Sequence, residues 1–179
     1  MLKDVILENN RRREIFNFLK ANPGLHLREL QRRLKLPLTS LEHHLDYMVR
    51  KKVIYREKDG RFTRFYAMLL DEEDKKVISA LRQKRLREIV LIILGKEGAK
   101  FQELQEILGL PSSTLFHYLK YLANHDIITR DQNGAETIYN VKNDRAAKAL
   151  IVYKPSFLDN LVDKALYTFM ETHFRKPKK

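Results

Sequence analysis

Two sets of hydrogen-bonding side chains recur at one spacing. Thr39, Ser40, His43 and Tyr47 form the first set, and Ser113, Thr114, His117 and Tyr121, with Lys120 beside them, form the second. Steps of one, three and four residues put each set on one side of a helix. Hydroxyls near a helix N-terminus bond phosphates or base edges, and imidazole and phenol groups do the same further along. Glu42 and Asp46 share the first face, and Phe116 shares the second. The six histidines show no metal-binding spacing, and no cysteine supports them, so no metal or cofactor is expected. There is no phosphate-cradling glycine motif and no nucleophile elbow, so the sequence does not read as an enzyme.

The charge balance points the same way as the hydroxyl sets. Over 179 residues, 35 Lys and Arg face 23 Asp and Glu, a formal charge of +12. Such a chain is attracted to polyanions, meaning nucleic acid or an anionic membrane. The longest purely apolar run, Ile89 to Leu94, is too short to cross a bilayer, and the charged start lacks a signal-peptide core. The expectation is a cytoplasmic, nucleoid-associated protein with no membrane contact. Without cysteine, disulfides are excluded.

The elements that carry the two sets follow from a repeat. A shift of 74 residues aligns Arg13–Gly60 with the second half without a gap. Arg13-Glu14-Ile15 falls on Arg87-Glu88-Ile89, Glu29-Leu30-Gln31 on Glu103-Leu104-Gln105, and Leu36-Pro37 on Leu110-Pro111. One residue of slip then matches Phe65-Tyr66 with Ile138-Tyr139. Two copies of one small domain are expected. Each copy reads as helix, helix, helix, hairpin. In the first, Ile15, Phe16 and Leu19 lie at helical spacing before the Pro23-Gly24 stop. Leu27, Leu30 and Leu34 mark a second helix. Leu41, His44, Leu45 and Met48 give the inner face of a third. Strands follow at Val53-Ile54-Tyr55 and from Phe62 to Met68, turning at Lys58-Asp59-Gly60; the second hairpin turns at Asn133-Gly134.

The residues Pro23-Gly24-Leu25-His26-Leu27-Arg28-Glu29-Leu30 and Leu41-Glu42-His43-His44-Leu45 carry a family likeness, as do Gln102-Glu103-Leu104 and Leu115-Phe116-His117-Tyr118-Leu119. Over residues 10 to 143 the chain resembles the ArsR/MarR-like winged-helix superfamily, and archaeal regulators with two such domains in tandem. The resemblance implies a mainly α fold with small β-hairpins. It also implies that the third helix enters the DNA major groove and that the hairpin, or wing, reaches the flanking backbone or minor groove. The expected organisation is a strongly basic winged-helix domain over residues 1–70, a linker helix over 71–83, a second winged-helix domain over 84–143, and C-terminal helices over 144–179. The linker helix, started by Asp71-Glu72-Glu73-Asp74, is read as running on toward the second domain.

The two copies differ in charge. Residues 10–69 hold fifteen Lys and Arg against six Asp and Glu, whereas residues 84–143 hold eight against seven. The first wing carries Arg56, Lys58, Arg61 and Arg64; the second carries Asp131 and Glu136 against Arg130. Phosphate binding draws its affinity from cations, so the first copy is the expected anchor on double-stranded DNA. Its cationic contacts are Arg28, Arg32, Arg61 and Arg64. The second copy is expected to give weaker contacts, or regulation or dimerisation. Phe157, Leu161, Leu166 and Phe169 belong to an apolar helical stripe that must be covered, either by docking onto the chain's own second domain or, in the favoured reading, as a homodimer interface. The expected function is transcription regulation. A protein-interaction module of nucleic-acid machinery and a sequence-indifferent chromatin protein are the alternatives. Operator, target genes, effector and direction of regulation are not encoded legibly.

Overall fold

The computed structural model describes residues 2–134, 136–142 and 144–153. The chain divides into two compact units, residues 1–75 and 76–179.

The first unit opens with helix α1 (Leu2–Leu7), which places Ile6 in the core. Asn9 caps helix α2 (Asn10–Ala21): its side-chain oxygen accepts from the Arg12 amide at 3.1 Å. Ile15, Phe16 and Leu19 are the buried side of α2. The chain passes through Gly24 (φ 75°) into a two-residue strand β1 (Leu25–His26). Helix α3 (Leu27–Leu34) and helix α4 (Leu38–Arg50) follow. The turn between them ends at Pro37, which disfavours helix at Leu36. Leu41, Leu45 and Met48 of α4 are fully buried, as their spacing requires, and His44 is half-buried at the edge. Burying each such apolar side chain contributes about 1.5–3 kcal/mol.

The hairpin pairs β2 (Tyr55–Asp59) with β3 (Phe62–Tyr66). It starts later than the sequence suggests, because Val53 and Ile54 are spent on the core ahead of the strand. Lys58 and Asp59 are paired strand residues, and the turn is Gly60-Arg61, between the Asp59–Phe62 pair. The sheet order is β1-β3-β2, so β3 is central, with Leu25 opposite Phe65.

Helix α5 (Glu72–Arg82) contains the boundary between the units, and its Val77, Ala80 and Leu81 join the core of the second. It does not run on. Gln83 is extended (φ −86°, ψ 116°) and separates it from helix α6 (Lys84–Gly95), which is buried on all sides from Leu86 to Ile93. Strand β4 (Ala99–Lys100), helix α7 (Phe101–Leu108), helix α8 (Ser112–Asn124), strands β5 (Ile128–Asn133) and β6 (Glu136–Val141), and helix α9 (Arg145–Val152) complete the second unit. Its sheet order is β4-β6-β5.

The 74-residue shift holds through the hairpins. Leu25 opposes Phe65, and Ala99 opposes Tyr139; Asp59 opposes Phe62, and Asn133 opposes Glu136. The expected one-residue slip is therefore absent. The true counterpart of Phe65 is Tyr139, and that of Arg64 is Ile138. Each unit is helix-rich with a small antiparallel sheet, an arrangement consistent with a winged helix. No helix among the described residues is long and apolar enough to cross a membrane.

Candidate nucleic-acid interface

The outer side of α4 carries Thr39, Ser40, Glu42, His43 and Asp46, all exposed. Tyr47 is half-buried, and its ring lies under two cations: the Arg12 guanidinium at 4.5 Å and the Lys51 ammonium at 6.0 Å. Contacts of this kind hold a cation over an aromatic face. They bring the arginine run of α2 to the C-terminal half of α4, a placement not foreseen from the sequence. Burial pushes His44 below the usual histidine range, helped by His43, Arg12 and Arg11. It is therefore the neutral imidazole that sits at the edge of this cationic cluster.

Asp46 does not present a bare carboxylate. Arg56 Nη1 of β2 reaches its Oδ1 at 2.8 Å, tying the helix to the wing. Between helix and wing lies an open cleft of about 260 Å³, floored by Leu27, Leu45 and Phe65 and rimmed by Glu42, Asp46, Arg56 and Thr63.

Arg28 and Arg32 are exposed on α3. Arg28 bonds Gln31, while Arg33 pairs with Glu29 at 3.0 Å. Arg61 is exposed at the turn of the wing and lies 5.0 Å from the centre of the Phe62 ring. Arg64 departs from the expectation. It is 4% exposed, its Nε donates to Asp59 Oδ2 at 2.6 Å, and its Nη1 donates to the Gly24 carbonyl at 2.9 Å. An arginine at this inward position is held by its partners inside the fold, so it does not offer a phosphate contact. His26 completes the base of the wing. It caps α3 by accepting from the Glu29 amide and stacks on Phe62, with ring centres 4.9 Å apart.

In the second unit the outer side of α8 shows Ser113, Phe116, His117 and Lys120 exposed, with Thr114 half-buried. Tyr121 is half-buried and stacks on His125 at 4.0 Å. Where the first wing stacks His26 on Phe62, the second pairs Lys100 with Glu136. Asp131 accepts from Thr129 and Asn140, which holds it below the usual carboxylate range and so ionised. Phe157, Leu161, Leu166 and Phe169 lie outside the described residues. Among the described residues, no cluster of His, Asp and Glu could hold a metal ion.

This geometry agrees with the likenesses the chain has to known proteins. Residues 9–78, which hold α2 to α4, the first wing and part of α5, match a family described as an N-terminal HTH domain. A protein of Methanocaldococcus jannaschii, named as an uncharacterized HTH-type transcriptional regulator, is 30% identical over 139 residues. That alignment covers 78% of this chain, but the chain spans only 35% of the relative's length. In its first unit the chain is thus similar to N-terminal HTH domains, and over most of its length to a protein named as a regulator of transcription.

Proposed function

We propose that this chain is a DNA-binding transcriptional regulator made of two tandem winged-helix domains. The first domain is the main anchor on double-stranded DNA. Its α4 lies in the major groove, presenting Thr39, Ser40 and His43, and Lys58 and Arg61 of the wing meet phosphates. The observation that carries this reading is the match of residues 9–78 to an HTH domain, over the segment in which α4 exposes its polar face. Arg12 and Lys51, gathered on Tyr47, extend the cationic surface beside the helix. The second domain adds weaker contacts or regulation. Its wing strands carry Asp131 and a Glu136 already paired with Lys100, with Arg130 as their one cation, so they offer phosphate little. A homodimer through the C-terminal segment would match paired half-sites, and the working location is the cytoplasm, on DNA. No catalytic role is assigned.

The test is duplex binding by the purified full chain at two salt concentrations. If about six phosphates are neutralised, affinity falls roughly a thousandfold between about 50 and 200 mM salt. Arg61→Ala reduces the slope of log affinity against log salt by about one. A protein that retains no duplex at low salt is not a DNA-binding regulator.

A further inference from the structure

The uninterrupted 74-residue register allows the two outer helix faces to be compared position by position, and they differ in kind. Glu42 of α4 becomes Phe116 of α8, and Asp46 becomes Lys120. Helix α4 carries two carboxylates, one of them tied to Arg56. Helix α8 carries no acid at all along its thirteen residues. The charge asymmetry of the wings is thus reversed on the helices: the basic wing belongs to the helix with acids, and the acidic wing to the helix without them.

Phe116 is 54% exposed on the outer side of α8, between its buried Leu115 and Leu119. Its neighbours on the same face are polar. Ser113 lies one turn before it, His117 beside it and Lys120 one turn after it, all exposed. Gln105 of α7 donates to Ser112 at 2.9 Å, which fixes the first turn of α8 against the preceding helix. A single apolar ring framed by a hydroxyl, an imidazole and an ammonium suits a nucleic-acid groove better than a protein interface, whose centre is broadly apolar and poor in charge. In the major groove the apolar group a base pair offers is the thymine 5-methyl, which phenylalanine contacts.

We infer that α8 is a second base-reading helix and that Phe116 selects thymine by covering its 5-methyl group, with Lys120 on the adjacent phosphate or guanine. This rests on the DNA-binding reading above. At the matching position of α4, Glu42 is suited to accept a hydrogen bond from cytosine N4. The two helices of one chain therefore read unlike sequences.

The experiment uses the full chain and the duplex it enriches from a random pool. Each thymine is replaced in turn by deoxyuridine, which lacks only the methyl group. One or two positions should lose about fourfold in affinity, the value of burying one methyl-sized group. Phe116→Ala should bind the thymine duplex more weakly and no longer distinguish it from its deoxyuridine counterpart. Lys120→Ala should lower the salt dependence and keep the distinction. Phe116→Leu, which preserves an apolar contact, should keep part of it. Equal binding of thymine and deoxyuridine duplexes by the unaltered chain overturns the inference. So does a distinction that survives Phe116→Ala, and so does a loss of self-association in Phe116→Ala with DNA binding intact, which would assign the ring to a protein contact. Failure to bind any duplex at low salt is a different result and removes the parent reading.

Discussion

Arg64 and Asp59 close the first wing on itself, with 2.6 Å between guanidinium Nε and carboxylate Oδ2. The pair spans the strands near the turn, and Arg64 also satisfies the Gly24 carbonyl at the entrance to β1. One side chain thereby joins the central strand to its two neighbours. In the second unit the counterparts are Ile138 and Asn133, so that wing is held without this clamp.

Arg64 and Arg61 are therefore expected to fail differently. Arg64→Ala leaves a buried carbonyl without its donor and should cost about 2–3 kcal/mol of stability, read from urea unfolding. Its effect on the salt dependence of DNA binding should be negligible once the protein is folded. Arg61→Ala, at an exposed turn, should leave stability unchanged and lower the salt slope. Identical behaviour of the two variants would contradict the assignment of Arg64 to the fold.

A second prediction concerns the end of α3. Lys35 sits there in the left-handed region (φ 54°), where the equivalent residue ending α7 is Gly109 (φ 60°). A side chain in this conformation costs about 1–2 kcal/mol, partly offset by the greater freedom of glycine in the unfolded chain. Lys35→Gly should raise stability by roughly 0.5–1 kcal/mol. Gly109→Lys should lower it by a similar amount, because nothing lies within 4 Å of a Cβ there and only the backbone is strained. Thermal unfolding of both variants checks the sign.

His26 predicts a pH dependence. Its Nδ1 must be unprotonated to accept from the Glu29 amide, at 3.4 Å. Burial lowers its pKa below 6.5; Glu29 opposes the shift, while the charges of Arg64 and Arg32 add to it. The unfolded chain therefore takes up the proton first. The stabilisation is complete above about pH 6.5 and is lost as pH falls from there toward the lowered folded value. His26→Asn keeps a capping oxygen and removes the titration. Unfolding midpoints between pH 7.5 and 5 should decline less in this variant than in the unaltered chain, and parallel declines would exclude His26 as the source.

Much of this fold was legible in the sequence, for reasons visible in particular residues. Leu41, Leu45 and Met48 recur at helical spacing because one side of α4 must be apolar to be buried. The 74-residue repeat carried the helices into register. The wings were harder to read. Strands β1 and β4 are two residues long and have no period to detect. Phe65-Tyr66 resembles Ile138-Tyr139 by residue type, yet pairing aligns Phe65 with Tyr139, so likeness of type misled where hydrogen bonding decided. Arg64 read as a surface cation because burying an arginine is costly without partners. Its partners, Asp59 and the Gly24 carbonyl, meet it only once β3 lies between β1 and β2. The gathering of Arg12 and Lys51 on Tyr47 likewise depends on how α2 crosses α4, which no local pattern records.

The Asp46–Arg56 bridge gives the most direct test of the proposal that helix and wing face DNA together. Both side chains are about half exposed, so the pair adds little to stability. Its consequence is electrostatic. Asp46 places a negative charge on the face of α4 and occupies Arg56, a wing cation that on the proposed reading is otherwise free to meet phosphate. Asp46→Asn removes the charge, keeps the shape and releases Arg56. Duplex affinity at low salt should then rise roughly three- to tenfold, and the slope of log affinity against log salt should steepen by about one as one more cation engages the backbone. Arg56→Ala should weaken binding in both backgrounds: in the unaltered chain it bares the Asp46 carboxylate, and in the Asp46→Asn background it removes the released cation. If Asp46→Asn leaves both affinity and slope unchanged, the bridge does not face the nucleic acid, and the cleft between α4 and the wing lies away from the bound duplex.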